Sequence, residues 1–500
     1  MTSPPPRRLD RRAFLLLGAA SLGAGALAAA GCGTGSSAGP AGGAPVRNPL
    51  RVPPLAESAQ VGGRRVFSLV AQAGRTAFVP GGEAETWGFN GSFLGPTLRV
   101  RRGEDVRVVV RNGLSEPTTV HWHGMVLPAS ADGTPHQTVE PGGEWSPSWR
   151  VDQPAATLWY HPHPHGATER HVHRGLAGML IVDDDEEAAL DLPREYGVDD
   201  VPVIVQDRTF GGGGAFVEGP RSGAGMLGST ILVNGTASPG FAVTAELTRL
   251  RLLNASTARS YRFGFPDGRE FDVVAGDGGL LPAPVKRARL TLTPGERAEV
   301  VVRLSAGEQV VLRSYPQELG VAGADTGAAD EFDVLHLGAA ASLRPSAPLP
   351  ARLVDVPVLD PAGAVAVRGF RMRVDRINDE RMDLARVDHV VTVGTTELWD
   401  VVNVSDVPHN FHVHGTQFQV VSVGGRAPAA ESAGWKDTVY APPNVPVRLA
   451  VRFTGHADPS TPYMYHCHLL WHEDSGVMGQ FVVVEPGGQA RPPVGGHAHR

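Results

Sequence analysis

The stretch Tyr465-His466-Cys467-His468-Leu469-Leu470-Trp471-His472-Glu473-Asp474-Ser475-Gly476-Val477-Met478 constrains this chain more than any other. A cysteine sits between two histidines, and a third histidine follows five residues later. In a strand, neighbouring side chains point to opposite faces. Cys467 is therefore predicted to face one way, with His466 and His468 facing the other. That arrangement wires one metal site to another through a single residue. A thiolate with imidazoles suits copper, and one Cys with two His is the trigonal blue-copper set. Taken alone, the stretch also fits a zinc site or a chance His-rich strand.

A length of 500 residues allows about three domains. The 62 Gly, 42 Pro and 42% hydrophobic content suit many short strands joined by turns better than long helices. A formal net charge of −7 gives no electrostatic footprint for nucleic acid, and none for an anionic membrane surface.

Residues 1–47 read as a targeting segment and linker, outside the fold. Asp10-Arg11-Arg12-Ala13-Phe14-Leu15 looks like a twin-arginine signal, followed by an Ala- and Gly-rich apolar run over residues 14–30 that is short for a membrane span. The run ends in Ala29-Ala30-Gly31-Cys32, which resembles a bacterial lipobox, with Ala29 where the consensus favours Leu. Acylation of Cys32 would tether the chain as a lipoprotein without a spanning helix. Export to the periplasm or another extracytoplasmic space is the expectation. The chain has two cysteines, so the exported domain keeps one thiol, Cys467, in an oxidising setting. A buried structural cysteine is one reading; a metal-bound one suits its neighbours better.

Three domains are expected: residues 48–186, 187–347 and 348–488, with a tail over 489–500. In the first, Leu98-Arg99-Val100-Arg101 and Asp105-Val106-Arg107-Val108-Val109-Val110 have partial period-two patterning around the turn Arg102-Gly103-Glu104. Two strand-borne H-x-H pairs follow, His121-Trp122-His123-Gly124 and Trp159-Tyr160-His161-Pro162-His163-Pro164-His165-Gly166. Histidines at i and i+2 share a face, so each pair can address one buried cluster. The second domain has strands and turns at Ile231-Leu232-Val233-Asn234-Gly235, Leu250-Arg251-Leu252-Leu253-Asn254 and Leu290-Thr291-Leu292-Thr293-Pro294-Gly295-Glu296-Arg297, with His336 alone and best read as structural or surface. It reads as a spacer without metal. In the third, the strand Glu397-Leu398-Trp399-Asp400-Val401-Val402-Asn403 precedes His409-Asn410-Phe411-His412-Val413-His414-Gly415, which echoes His121 to Gly124 as a domain repeat does.

Ten of the 19 histidines fall in four compact clusters. A zinc enzyme needs three or four ligands, far fewer than these ten with Cys467. The motifs H-W-H-G, H-P-H, H-x-x-H-x-H-G and H-C-H-x-x-x-H, in this order, resemble the multicopper oxidases, in the three-domain bacterial branch of laccases and copper-efflux oxidases. The resemblance implies an all-β fold of three consecutive cupredoxin-like Greek-key barrel or sandwich domains. It implies four copper ions: a type 1 copper on His409, Cys467 and His472, a type 2 copper on His121 and His412, and a type 3 pair on His123, His161, His163, His414, His466 and His468. Glu473 matches the family's proton-donating acid near the cluster, and Asp132 an acid that tunes the type 2 copper water; a solvated loop carboxylate is the plain alternative for each. His165, His171, His173, His497 and His499 have no ligand role in the pattern.

The family often places an axial Met ten residues after the ligand cysteine; here Val477 stands there, with Met478 next. Valine cannot coordinate, and an unligated axial position is expected to raise the potential. The implied reaction takes electrons singly from a small reducing substrate and reduces O2 to water. Copper-efflux relatives carry a Met-rich segment over the type 1 site, and this chain has eight Met and no such cluster. Met372, Met382 and Asp383 remain as single candidates, with packing the plainer reading. The expectation is a laccase-like oxidase of phenols and aromatic amines, acting as a monomer, with oxidation of Cu(I) for copper tolerance as the competitor. Trp159 and Trp471 read as packing. A cupredoxin-like envelope protein without ligands, a copper-sequestering protein and a copper nitrite reductase are less consistent with the eleven ligands and the H-C-H bridge.

Overall fold

Burial alternates where the sequence does. In the strand Asp105–Asn112, Val106, Val108 and Val110 are buried while Asp105, Arg107 and Arg111 face out, as a half-buried strand requires. The computed structural model describes residues 48–491 apart from Pro220 and residues 322–325. The expected signal, the linker and the Cys32 anchor lie outside the described residues, as do His497 and His499.

Three two-sheet domains follow one another, each a cupredoxin-like β-sandwich with its own core. The first packs Phe67, Val108, Trp122, Leu158 and Leu180, between a six-stranded sheet carrying Arg64–Thr76 and a four-stranded sheet carrying His121–His123 and Ala156–His161. The second joins seven- and six-stranded sheets around Val203, Leu250, Phe263 and Val300. The third joins four- and five-stranded sheets around Trp399, Phe411, Leu449 and Tyr465. The fold expected from the resemblance is the one observed.

Two features depart from simple patterning. Asn48–Pro49 pairs in parallel with Pro239 and Gly240, so the described chain starts on the second domain's sheet although its next strands build the first. Leu247–Asn254 is buried at every position despite Thr248, Arg249, Arg251 and Asn254. It lies centrally, parallel to Asp200–Arg208 and antiparallel to Arg297–Arg303, and its arginines are paired: Arg251 with Asp200 at 2.6 Å and Glu299 at 2.8 Å, and Arg249 with Glu187 at 2.7 Å. Burial of such charges is tolerable only with partners of this kind.

Candidate metal centres

Sheet register assembles the histidines. His121–His123 runs antiparallel to Ala156–His161, with His161 opposite His121 and Trp159 opposite His123. The second strand stops at His161, because Pro162 has no N–H to give the ladder. His163 lies beyond it, its N–H donated to Thr119 Oγ1 at 2.7 Å. In the third domain His412 stands opposite His466. The strand Asp458–His466 ends there, so Cys467 and His468 lie just past it, and a helical turn, Leu470–Asp474, carries His472 and Glu473. This corrects the expectation of one continuous strand. Asn410 Oδ1 takes the N–H of His468 at 2.7 Å and draws the backbone off the ladder. The division of faces survives, with Cys467 on one side and both flanking histidines on the other.

On the first side, Cys467 Sγ lies 3.2 Å from His409 Nδ1 and 3.6 Å from His472 Nδ1. All three are fully buried. His472 donates Nε2–H to the Gly223 carbonyl at 2.8 Å, which leaves Nδ1 as a lone pair facing the sulfur. Burial pushes the Cys467 thiol up to about 12, so a metal that takes the thiolate must displace its proton. Val477 shares the buried apolar cluster of Cys467, whereas Met478 stands opposite His466 and on that residue's face.

On the other side eight histidines converge. His466 Nε2 lies 3.0 Å from His414 Nε2 and 3.2 Å from His163 Nε2. His161 Nε2 lies 3.4 Å from His468 Nε2 and 3.5 Å from His123 Nδ1. His121 and His412 complete the ring with buried Nε2 atoms that have no partner among the described residues. Their opposite nitrogens are anchored: His414 Nδ1 to Asp132 Oδ2 at 2.7 Å, His121 Nδ1 to the Asp132 carbonyl at 2.9 Å, His412 Nδ1 to the Asp437 carbonyl at 2.8 Å, His123 Nε2 to Asp437 Oδ1 at 3.0 Å. Backbone carbonyls take His161 Nδ1 at 2.9 Å and His466 Nδ1 at 3.1 Å. Each neutral ring anchored through one N–H turns a lone pair inward.

Inward lone pairs such as those of His414 and His466 repel unless a cation lies between them. Bonds of about 2.0–2.1 Å, as imidazole makes to zinc, put two ligand nitrogens about 3.3 Å apart at a tetrahedral angle, close to the spacings seen. Burial holds His123, His161, His163, His409, His414 and His468 well below the ordinary histidine range, and His412 and His472 at about 4. Neutral imidazoles are what metals bind. The residues fit several imidazole-bound metals and one thiolate-bound metal, which these clusters could hold.

The two carboxylates singled out in the sequence reach the cluster. Glu473 lies 3.2 Å from His466 Nδ1 and 3.5 Å from His163 Nε2. Asp132 uses Oδ2 on His414, and its Oδ1, 3.4 Å from His121 Nδ1, has no hydrogen-bond partner among the described residues. Asp437 and Asn410 also shape the site but carry no signal in a single sequence: one is an acid and the other an amide in otherwise unremarked loop and strand positions. His165 is exposed, while His171 and His173 are buried on the helix Thr168–Arg174. Met372 is packed in the third domain's core, Met382 is half-buried and Asp383 is exposed. Trp159 stacks on His161 with centroids 4.1 Å apart; Trp471 is partly exposed under the Arg221 guanidinium.

Family models described as multicopper oxidase match residues 71–187, 197–315 and 356–487. A curated relative, the cell division protein FtsP of Rahnella sp. (strain Y9602), is 38% identical over 484 residues, covering 95% of this chain and 99% of the relative. The laccase of Pediococcus acidilactici Pa5930 superposes with a TM-score of 0.81 at 37% identity, covering 88% of this chain and 94% of the other. The laccase-like multicopper oxidase CueO of Ochrobactrum sp., described with oxidase activity towards lignin model compounds and lignosulfonate, gives 0.80 at 36% identity, covering 87% and 100%. With three matching domains in order and both clusters assembled, the chain belongs to the multicopper oxidase family.

Proposed function

We propose that this chain is a catalytic multicopper oxidase holding four copper ions, and that it oxidises small phenols and aromatic amines. The observation that carries the reading is the pair of buried centres joined at one residue: Cys467 with His409 and His472 on one side, eight inward histidines on the other. His409, Cys467 and His472 would hold the type 1 copper. His121 and His412 would hold the type 2 copper, and His123, His161, His163, His414, His466 and His468 the type 3 pair. Bound there, copper supplies one-electron acceptance from the substrate and reduction of O2 to water.

The chain's own groups do the rest. Cys467 is joined by peptide bonds to His466 and His468, which gives the two centres the shortest covalent link available. Burial of both centres excludes bulk water and strengthens every electrostatic contact inside. Glu473, beside His466 and His163, and Asp132, on His414, would pass protons to the cluster. The Gly223 carbonyl covers His472 Nε2, and the neighbouring Trp471 is partly exposed, so the donor would approach the Cys467 centre there. Likeness to a laccase and to an oxidase of lignin model compounds favours phenols over Cu(I). Export by the twin-arginine route and action as a monomer complete the proposal.

Likeness to relatives named cell division protein FtsP favours a second reading, a role in cell division. Oxygen uptake by copper-loaded protein, with a methoxyphenol or Cu(I) as donor, together with a visible spectrum, separates them. Fast uptake with the phenol is expected. Uptake mainly with Cu(I) would make the chain a cuprous oxidase. Intense blue absorption without uptake on either donor would sink the oxidase reading and leave a copper-binding protein, compatible with the cell-division reading.

A further inference from the structure

The middle domain supplies no histidine to either centre, yet its residues 293–297 form part of the wall of the eight-histidine cluster. Arg297 is fully buried and forks onto Asp437, with Nη1 to Oδ1 at 2.7 Å and Nη2 to Oδ2 at 2.6 Å. Its Nε donates to the Thr157 carbonyl of the first domain at 3.0 Å, and Nη2 also donates to the Asp277 carbonyl of the second at 2.8 Å. One guanidinium thus ties all three domains. Asp437 in turn holds two of the eight histidines, His123 through Oδ1 and His412 through its carbonyl.

Neighbouring residues repeat the pattern. Gly295 sits in left-handed backbone at φ +85°, and a Cβ there would come 3.0 Å from the His468 ring. Thr293 Oγ1 and the Pro294 carbonyl accept from Asn410 Nδ2 at 3.0 and 2.8 Å, and Asn410 holds the N–H of His468. Across the cluster, Gly124 leaves room for the fork, since a Cβ there would come 2.6 Å from Arg297 Nη2.

We propose that residues 293–297 of the middle domain are a positioning element for the eight-histidine cluster, with Arg297 acting through the Asp437 carboxylate to set the ring orientation of His123. This rests on the copper reading above. Without the fork, the Asp437 carboxylate keeps, besides His123 itself, only the Thr438 hydroxyl at 2.9 Å, and the acceptor that turns His123 Nδ1 inward is less firmly held. Outer partners of this kind typically contribute 10–100-fold to metal affinity, and the Cys467 centre makes no contact with the fork.

The test is chelator titration of copper-loaded parent and Arg297→Lys protein, followed by metal content per chain, blue absorption and the electron paramagnetic resonance signal of non-blue copper. Lysine keeps the charge but cannot fork. The expected result is about 10–100-fold easier loss of copper outside the Cys467 centre, an altered non-blue signal and unchanged blue absorption. A double variant, Arg297→Gln with Asp437→Asn, removes both buried charges together and should show the same selective loss. Parent-like metal content and signal in both variants would overturn the proposal. So would equal loss from both centres, or failure of both variants to fold, since either means a merely structural role. A parent that takes up no copper would instead overturn the copper reading, and this proposal with it.

Discussion

At the scale of single residues, the proposed copper on Cys467 makes position 477 the one that would tune it. Val477 lies in the apolar cluster of Cys467 and offers no donor, whereas Met478 is turned to the face of His466. With fewer donors, Cu(II) bound there would be less stabilised and its potential higher. The Val477→Met variant, with a thioether placed where the valine now packs, should lower the potential and slow oxidation of phenols that are hard to oxidise. Redox titration of the blue absorption reads this directly. An unchanged potential would mean that residue 477 does not face the metal.

At the scale of elements, the helix Thr168–Arg174 couples stability to acid through His171. Burial lowers His171 from 6.5 to about 4, although Glu116 at 2.7 Å partly opposes the shift. The unfolded chain takes up this proton near 6.5, and the folded chain only near 4. Stability from this group is therefore complete above about 6.5 and is lost as pH falls towards 4, by up to about 1.4 kcal/mol per pH unit. The His171→Gln variant keeps hydrogen-bonding capacity and removes the titration. Denaturant melts of the metal-free protein across that window should show a shallower pH slope than the parent. Identical slopes would assign the acid sensitivity elsewhere.

Across the whole molecule, buried charges staple the domains together. Arg251 of the middle domain pairs with Asp200 and Glu299 and donates to Thr157 Oγ1 of the first domain at 2.9 Å. Removing Arg251 leaves Asp200 buried without its cation, while Glu299 keeps Arg249; breaking a buried pair in this way costs about 3–5 kcal/mol. The Arg251→Met variant should lower the denaturant midpoint accordingly while leaving the blue absorption of refolded, copper-loaded protein intact. A midpoint equal to the parent's would show that this network contributes specificity rather than stability.

The sequence by itself determined the strand-rich class, through Gly and Pro punctuation and period-two runs such as Leu98–Arg101, and it singled out the imidazoles and the thiolate that the structure gathers into two buried clusters. Those residues were legible because imidazoles and a thiolate recur at short local spacings, and local spacing is what a linear chain displays. Tertiary structure decided how the centres are held. Asp437, Arg297 and Asn410 act across separations of more than a hundred residues, namely 314 from His123 to Asp437, 140 from Arg297 to Asp437 and 117 from Asn410 to Thr293. Such partners leave no periodic trace, because their pairing depends on how three separately cored domains dock. For the same reason the middle domain read as a spacer: its part in the centre is made of hydrogen bonds and close backbone approach, which no ligand motif encodes.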